Sequence, residues 1–360
     1  MTSKSTISID WGLLTPVFVL LILGLTTLFS IQIGFFRSQF IFACISLLFY
    51  FIFFHVSFKA IQYYSVPIYI ASIILLLIVF FIGVESKGAV RWIDFFGIRI
   101  QFSEVLKPFL AITLSSYLAN LTTVNFKSFV RIWAFLLPIL LLIYFQPDLG
   151  NALLYTGVTF FTLLIFGYPL VWFGFGVLGL GVFSPIVWKF LHEYQRQRIV
   201  TFFHPWKDPL GSSYNVIQSI IAVGSGMVFG KGMVEVTQSR LRFLPERHTD
   251  FIFATFSEGF GFIGVCILLI TIFILLYNIY TVFANSTDRF CKTFALCSFF
   301  LFLIPFFVNI GMNVGIMPIA GVTLPFMSYG GSSLLSNFII LGILSSIKRG
   351  IGGAEVLEIR

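Results

Sequence analysis

A chain of 360 residues that is 58% hydrophobic and only 10% charged, with a mean hydropathy of +1.01, carries more apolar surface than a water-soluble fold can hide. Its apolar runs are roughly 20 residues long, the length of a helix crossing a hydrocarbon core, and they exclude a β-barrel, whose strands alternate in short segments. The formal net charge of +8 suits contact with anionic headgroups, and no nucleic-acid partner is expected.

The first run, 11–31, exceeds a signal-peptide core and lacks a small-residue cleavage pattern, so it reads as a retained span. Further spans follow at about 36–54, 66–84, 105–121, 132–146, 150–167, 170–190, 251–283, 291–313 and 328–347, each bounded by charge, Pro or Gly. The expected fold is an all-α polytopic membrane protein with about ten transmembrane helices. It forms one membrane domain over 1–360: seven helices in 1–190, a large extracytoplasmic segment at 191–250, and three helices in 251–360 with a broken region at 309–333. Short connections with Lys59, Lys127 and Arg131, and Arg289 and Lys292 alternate with connections nearly free of cations, and the termini carry Lys4, Lys348 and Arg349. The positive-inside rule therefore places both termini in the cytoplasm. Cys44, Cys266, Cys291 and Cys297 show no paired spacing, so neither a disulfide nor zinc is expected.

Two outer connections break the charge pattern: 85–104, with Lys87, Arg91 and Arg99, and 191–250, with Arg196, Arg198, Lys207, Lys231, Arg240, Arg242 and Arg247. Cations kept outside work against insertion, and binding an anionic group such as a lipid diphosphate is a use for them; solvated loop charge is the plainer alternative. Within the second connection, 213–230 is apolar but too short to span, as in an interfacial or re-entrant helix. Between Asn309 and Ser333, Gly311, Gly315, Pro318, Gly321 and Pro325 break any helix. Broken backbone at membrane depth is tolerated where it is buried in protein or lines a wet cavity.

The run Gly224-Ser-Gly-Met-Val-Phe-Gly-Lys-Gly232 is not a phosphate loop: Ser225 stands at the required first glycine and Gly232 follows Lys231. Metalloprotease and nucleophile-elbow motifs do not occur. Ionisable residues at the membrane edge remain as candidates. Asp148, in Gln146-Pro-Asp-Leu-Gly150, is either a helix cap or a chemical group, and Glu104 and Lys107, at i and i+3, are spaced to pair on one helix face. Asp250 closes Leu244-Pro-Glu-Arg-His-Thr-Asp250 at the mouth of an apolar span, where it can act as a general base or simply cap the helix.

Several ordered stretches resemble the SEDS family (shape, elongation, division and sporulation), specifically its RodA branch. They are Lys87-Gly-Ala-Val-Arg-Trp-Ile93, Gln101-Phe-Ser-Glu-Val-Leu-Lys107, Gln146-Pro-Asp-Leu-Gly150, Asp208-Pro-Leu-Gly-Ser-Ser-Tyr-Asn-Val-Ile-Gln-Ser219, Phe229-Gly-Lys-Gly232, Thr237-Gln-Ser239, Phe243-Leu-Pro-Glu-Arg-His-Thr-Asp-Phe-Ile-Phe253 and Ser328-Tyr-Gly-Gly-Ser-Ser333. Arg247 before His248, and Thr237-Gln-Ser239, look like RodA rather than its division relative FtsW. Phe102, where the family usually has Pro, and Gly259, where a second acidic residue is common, depart from the pattern.

The resemblance implies a ten-helix glycosyltransferase of the cell inner membrane. Such an enzyme polymerises lipid II, with lipid II as acceptor and a lipid-diphosphate-linked glycan as donor, through β-1,4 bonds, during cell elongation and rod-shape maintenance. It implies Asp250 as the essential carboxylate and Glu104 and Lys107 as an activity-linked ion pair. Arg91, Arg196, Arg198, Arg247, His248, Lys231, Asp148, Ser328 and Tyr329 become candidates for substrate or diphosphate binding. A divalent cation, Mg or Mn, is compatible with that chemistry but not required by it. Implied partners are a class B penicillin-binding protein and elongation-complex membrane proteins such as MreC and MreD. The residues alone leave two rivals, a lipid II flippase and a non-catalytic scaffold.

Overall fold

The computed structural model describes residues 10–86, 89–95, 98–206, 208, 209, 211, 213–232 and 244–358; Lys87, Lys207, Thr237-Gln-Ser239, Arg240 and Arg242 lie outside them. In chain order the helices are α1 (Trp11–Ile31), α2 (Ile33–His55), α3 (Phe58–Tyr63), α4 (Ser65–Ile82), α5 (Phe102–Val105), α6 (Lys107–Ala119), α7 (Phe126–Phe145), α8 (Leu149–Phe166), α9 (Leu170–Phe190), α10 (Glu193–Phe203), α11 (Tyr214–Ser225), α12 (Ile252–Asn285), α13 (Arg289–Asn313) and α14 (Gly331–Glu358). Their starts follow local chemistry. Asp10 accepts from the Gly12 amide, Asn125 and Ser128 form a reciprocal capping box, and Asp288 accepts from the Cys291 amide.

Among the described residues eight helices are long and apolar enough to cross a membrane: α1, α2, α4, α7, α8, α12, α13 and α14. The expected span at 105–121 is shorter than predicted. Pro108 follows a turn at Leu106 and divides it into the single turn α5 and the 13-residue α6. The outer connection 85–104 is also not a plain loop. Alternating residues form a three-stranded antiparallel sheet of β1 (Val84–Ser86), β2 (Ala89–Phe95) and β3 (Ile98–Gln101), with Trp92 opposite Gln101 and Asp94 opposite Arg99. The fold is thus helical with one small sheet between α4 and α5.

The core runs through α1, α2, α6, α8, α12, α13 and α14, where Tyr50, Phe256, Phe294, Phe302 and Phe338 are fully buried. Side-chain contacts fix which helix ends share a face. Gln39, near the start of α2, donates to the Ser328 carbonyl just before α14, and Asn313 at the end of α13 donates to the Asp250 carbonyl just before α12. Seventeen residues along α14 from Gly331, about 25 Å away, Lys348 donates to Asp10 at the start of α1 at 2.9 Å. Asp10 and Lys348 therefore lie on one face and Asp250 on the other.

The run expected as a single span at 251–283 is interrupted. Gly261 in α12 has φ 67° and ψ −165°, a region open essentially to glycine alone. The backbone groups released there are satisfied by the loop after α11: the amides of Lys231 and Gly232 donate to the carbonyls of Glu258 and Gly259, and the amides of Phe262 and Ile263 donate to those of Met227 and Val228. A Cβ on Gly261 would stand 2.2 Å from the Gly230 nitrogen. Gly261→Ala is expected to cost about 3 kcal/mol or more, read as a lower melting temperature in detergent and reduced membrane abundance; wild-type values for both would show that the break is not needed.

Candidate active site

The segment 246–250 is irregular, and its neighbours hold it by the main chain. The Asp250 carbonyl accepts from Asn309 Nδ2 at 3.1 Å and Asn313 Nδ2 at 3.0 Å, both from α13 and both fully buried. The Thr249 carbonyl accepts from Ser328 Oγ at 2.7 Å, and the His248 carbonyl from the Tyr329 amide at 2.8 Å. The His248 ring stacks on Phe35 with centroids 4.2 Å apart and leans on Tyr329. Ser328 Oγ also accepts from the Leu324 amide, which ties the irregular 314–330 stretch to the same point.

These bonds decide one alternative left open by the sequence. The cap position of α12 is Phe251, not Asp250, and the orphan Ala254 amide donates to Asn313 Oδ1 at 3.2 Å. Helix initiation is carried by a side chain of α13, so the Asp250 carboxylate is not the N-cap.

Opposite Asp250 stands α10. Arg198 packs over the Tyr194 ring at 5.6 Å, and Tyr194 donates to the Pro147 carbonyl at 2.8 Å, which anchors α10 to the Gln146-Pro-Asp-Leu-Gly150 turn. Arg198 and Asp250 meet at Gly321, whose φ is +68°: a Cβ there would lie 3.5 Å from Arg198 Nη1 and 3.7 Å from Asp250 Oδ2. Any larger residue would take the space between cation and carboxylate. Arg196, two residues away, is directed elsewhere. It donates to the carbonyls of Trp188 and Lys189 at the end of α9 and lies 3.8 Å from Glu193, so its guanidinium terminates a helix.

A second polar centre lies at the start of α8. Asp148 is 3% exposed and is indeed the α8 cap, accepting from the Asn151 amide at 3.4 Å. It is also a hub: Oδ2 accepts from Gln101 Nε2 at 2.7 Å, Ser103 Oγ at 2.7 Å and Asn151 Nδ2 at 2.9 Å, while Arg91 Nη1 from β2 lies 3.8 Å from Oδ1. Arg91 Nε is buried with no hydrogen-bond partner, a donor still to be matched. Ser103 links this hub to the neighbouring pair, because its carbonyl accepts from the buried Tyr155 hydroxyl one residue before Glu104. Lys107 Nζ reaches Glu104 Oε2 at 2.5 Å, with both residues buried. The two face each other across the Leu106 turn rather than along one continuous helix.

Lys231 lies 3.4 Å from Glu258, which is fully buried at the α12 break, so this cation serves at least in part to hold that break. Arg99 is 4.0 Å from Asp94 on the opposing strand, both largely exposed, which accounts for it as a cross-strand surface pair. Among the described residues no three His, Cys, Asp or Glu side chains converge on one point. Gln39, Ser103, Asn309 and Asn313, which were not candidates from the sequence, also hold these two centres; polar side chains among apolar ones, costly unless bonded, are their signal.

The chain as a whole is similar to several known proteins. Peptidoglycan glycosyltransferase MrdB of Escherichia coli (strain K12) is 40% identical over 282 residues, covering 78% of this chain and 76% of its own. MrdB of Helicobacter pylori is 36% identical over 361 residues, covering 96% and 92%. Rod shape determining protein RodA of Thermus thermophilus superposes with a TM-score of 0.73 at 26% identity, over 95% of this chain and 98% of that one. A chain from a peptidoglycan synthase complex, solved for its coordination of polymerization and crosslinking, superposes with a TM-score of 0.84 at 28% identity, over 96% and 99%. The FtsW/RodA/SpoVE cell cycle protein model matches residues 6–351, and the chain belongs to that family, on its RodA side.

Proposed function

We propose that this chain is a RodA-like peptidoglycan glycosyltransferase of the cytoplasmic membrane that polymerises lipid II on the face bearing Asp250. The observation that carries the reading is the carboxylate and guanidinium brought together at Gly321, on backbone fixed by Asn309 and Asn313 of α13 and by Ser328 of the irregular 314–330 stretch. Asp250 takes the proton of the acceptor GlcNAc 4-hydroxyl as that oxygen attacks the anomeric carbon of the donor MurNAc. The bond to the lipid diphosphate breaks and its electron pair leaves with the diphosphate, so an α-linked donor gives a β-1,4 product by inversion. One base suffices, without a covalent intermediate.

Arg198, Arg247 and Arg91 are the cations we assign to the diphosphates, where charge-assisted and bidentate bonds are strongest. A Mg or Mn ion arriving with the substrate would draw most of its ligands from the diphosphate, and no step above depends on it. The relative solved within a peptidoglycan synthase complex supports a crosslinking partner, for which a class B penicillin-binding protein is our assignment; MreC and MreD are proposed as further neighbours. Purified chain, with that partner, incubated with lipid II in detergent should give glycan strands cleavable by a muramidase. No polymer under any of these conditions would overturn the enzyme and favour a translocating role, because detergent offers no membrane to cross.

A further inference from the structure

A cavity of about 420 Å³ lies away from Asp250. It opens on the opposite face, between the α6–α7 connection, the end of α8, the end of α12 and the start of α13. Its size falls in the range of about 300–1,000 Å³ typical of small-ligand sites. Two cations line it, Arg289 and Lys292, with the hydroxyl-bearing residues Thr122, Thr123 and Thr293. Neither cation has a carboxylate within ion-pair distance among the described residues.

Both are nevertheless held in place. Arg289 Nη1 donates to the Leu121 carbonyl at 3.2 Å, which orients the guanidinium and leaves its other N–H groups without a protein acceptor among the described residues. Lys292 Nζ sits 5.3 Å from the centre of the Phe283 ring. A positioned pair of cations beside hydroxyl groups is the donor set of a phosphate site.

The walls identify the source of the phosphate. Ile165 and Val124, which line the cavity, are 53% and 42% exposed, and the neighbouring Phe126 packs on Trp172, itself 5.9 Å from Tyr168. Exposed aliphatic side chains beside Trp and Tyr mark the level where acyl chains meet headgroups. A soluble anion would gain nothing from such walls, whereas a phospholipid covers them with its chains.

We propose that this cavity binds the headgroup phosphate of an anionic phospholipid from the leaflet opposite Asp250, held by Arg289 and Lys292 with Thr122 as a further donor. The site does not depend on the glycosyltransferase reading. Full-length chain in mixed micelles should retain phosphatidylglycerol over phosphatidylcholine of the same acyl chains, scored by native mass spectrometry. The expected preference is about fivefold per cation and about thirtyfold for the two.

Arg289→Gln with Lys292→Gln should erase most of that preference, while Lys59→Gln with Arg349→Gln, equal in charge and outside the cavity, should retain it. Should the first double variant fold poorly, Lys292→Gln alone keeps the Arg289 bond to Leu121 and should lose about fivefold. Polymer formation by these variants in detergent is expected at the wild-type level. No lipid preference in the wild type, equal loss in the control variant, or displacement of the lipid by millimolar inorganic phosphate would each overturn the assignment.

Discussion

Asp250→Asn is expected to lower glycan synthesis from lipid II by roughly 10²–10⁴-fold, the size of a lost general base, while membrane abundance, melting temperature and association with the proposed crosslinking partner stay at wild-type values. The separation is expected because Asn keeps the volume of Asp and the described bonds that hold this segment go to main-chain atoms. The Asp250 carbonyl receives the bonds from Asn309 and Asn313, and the substitution leaves the main chain intact. Capping of α12 falls to Asn313 through the Ala254 amide, with Phe251 in the cap position. A structural role for the carboxylate would show as a loss of stability together with activity; equal polymer from both proteins at equal amount would remove Asp250 from catalysis. Asn309→Ala gives the contrast, since it removes donors to both the Asp250 and Val322 carbonyls and should lower the melting temperature and activity together.

The elements most legible in the sequence are those set by composition and by single residues with one local job. Uninterrupted apolar runs mark the long spans because every backbone polar group in lipid must be bonded within its own helix. Asp148, a cap candidate in the sequence, caps α8. What was not legible depends on partners distant in the chain. The break in α12 sits inside an apolar run where Glu258, Gly259, Gly261 and Gly264 do not by themselves say which residue breaks it, because the bonds that permit it come from residues 227–232. The β1–β3 sheet is hidden in strands of three to seven residues, too short for alternation to stand out.

The cations divide in the same way. Charge and position offered Arg91, Arg196, Arg198 and Arg247 on equal terms, and only the fold sends Arg196 to the α9 carbonyls while bringing Arg198 to Gly321. Asp148 presented a choice between cap and chemistry that the structure does not force. One carboxylate does the capping through Oδ1 and gathers Gln101, Ser103 and Asn151 through Oδ2. Its neighbour Ser103 joins it to the Glu104 and Lys107 pair, so the two polar centres flanking α5 are built as one.

That junction makes Glu104 and Lys107 the place where a single substitution should do more harm than a double one. Their side chains are 8% and 4% exposed and meet at 2.5 Å, so each charge is neutralised by the other and by little water. Removing one partner strands a buried charge at a cost of about 3–5 kcal/mol, whereas removing both leaves an apolar pocket with a much smaller penalty. Glu104→Ala and Lys107→Ala should each lower the melting temperature in detergent and reduce polymer formation; the double variant should melt above at least one of them. Glu104→Gln refines the test, because it preserves volume and a hydrogen bond to Lys107 while deleting the negative charge. If it melts with Glu104→Ala, charge is what the site needs; if it melts with the wild type, the hydrogen bond suffices. Activity adds the second axis. Recovery of stability without recovery of polymer in the double variant would assign the pair a part in positioning substrate, through Ser103 and the Asp148 hub. Recovery of both would limit it to holding α5 against α6, and wild-type melting and activity in both single variants would show that it does neither.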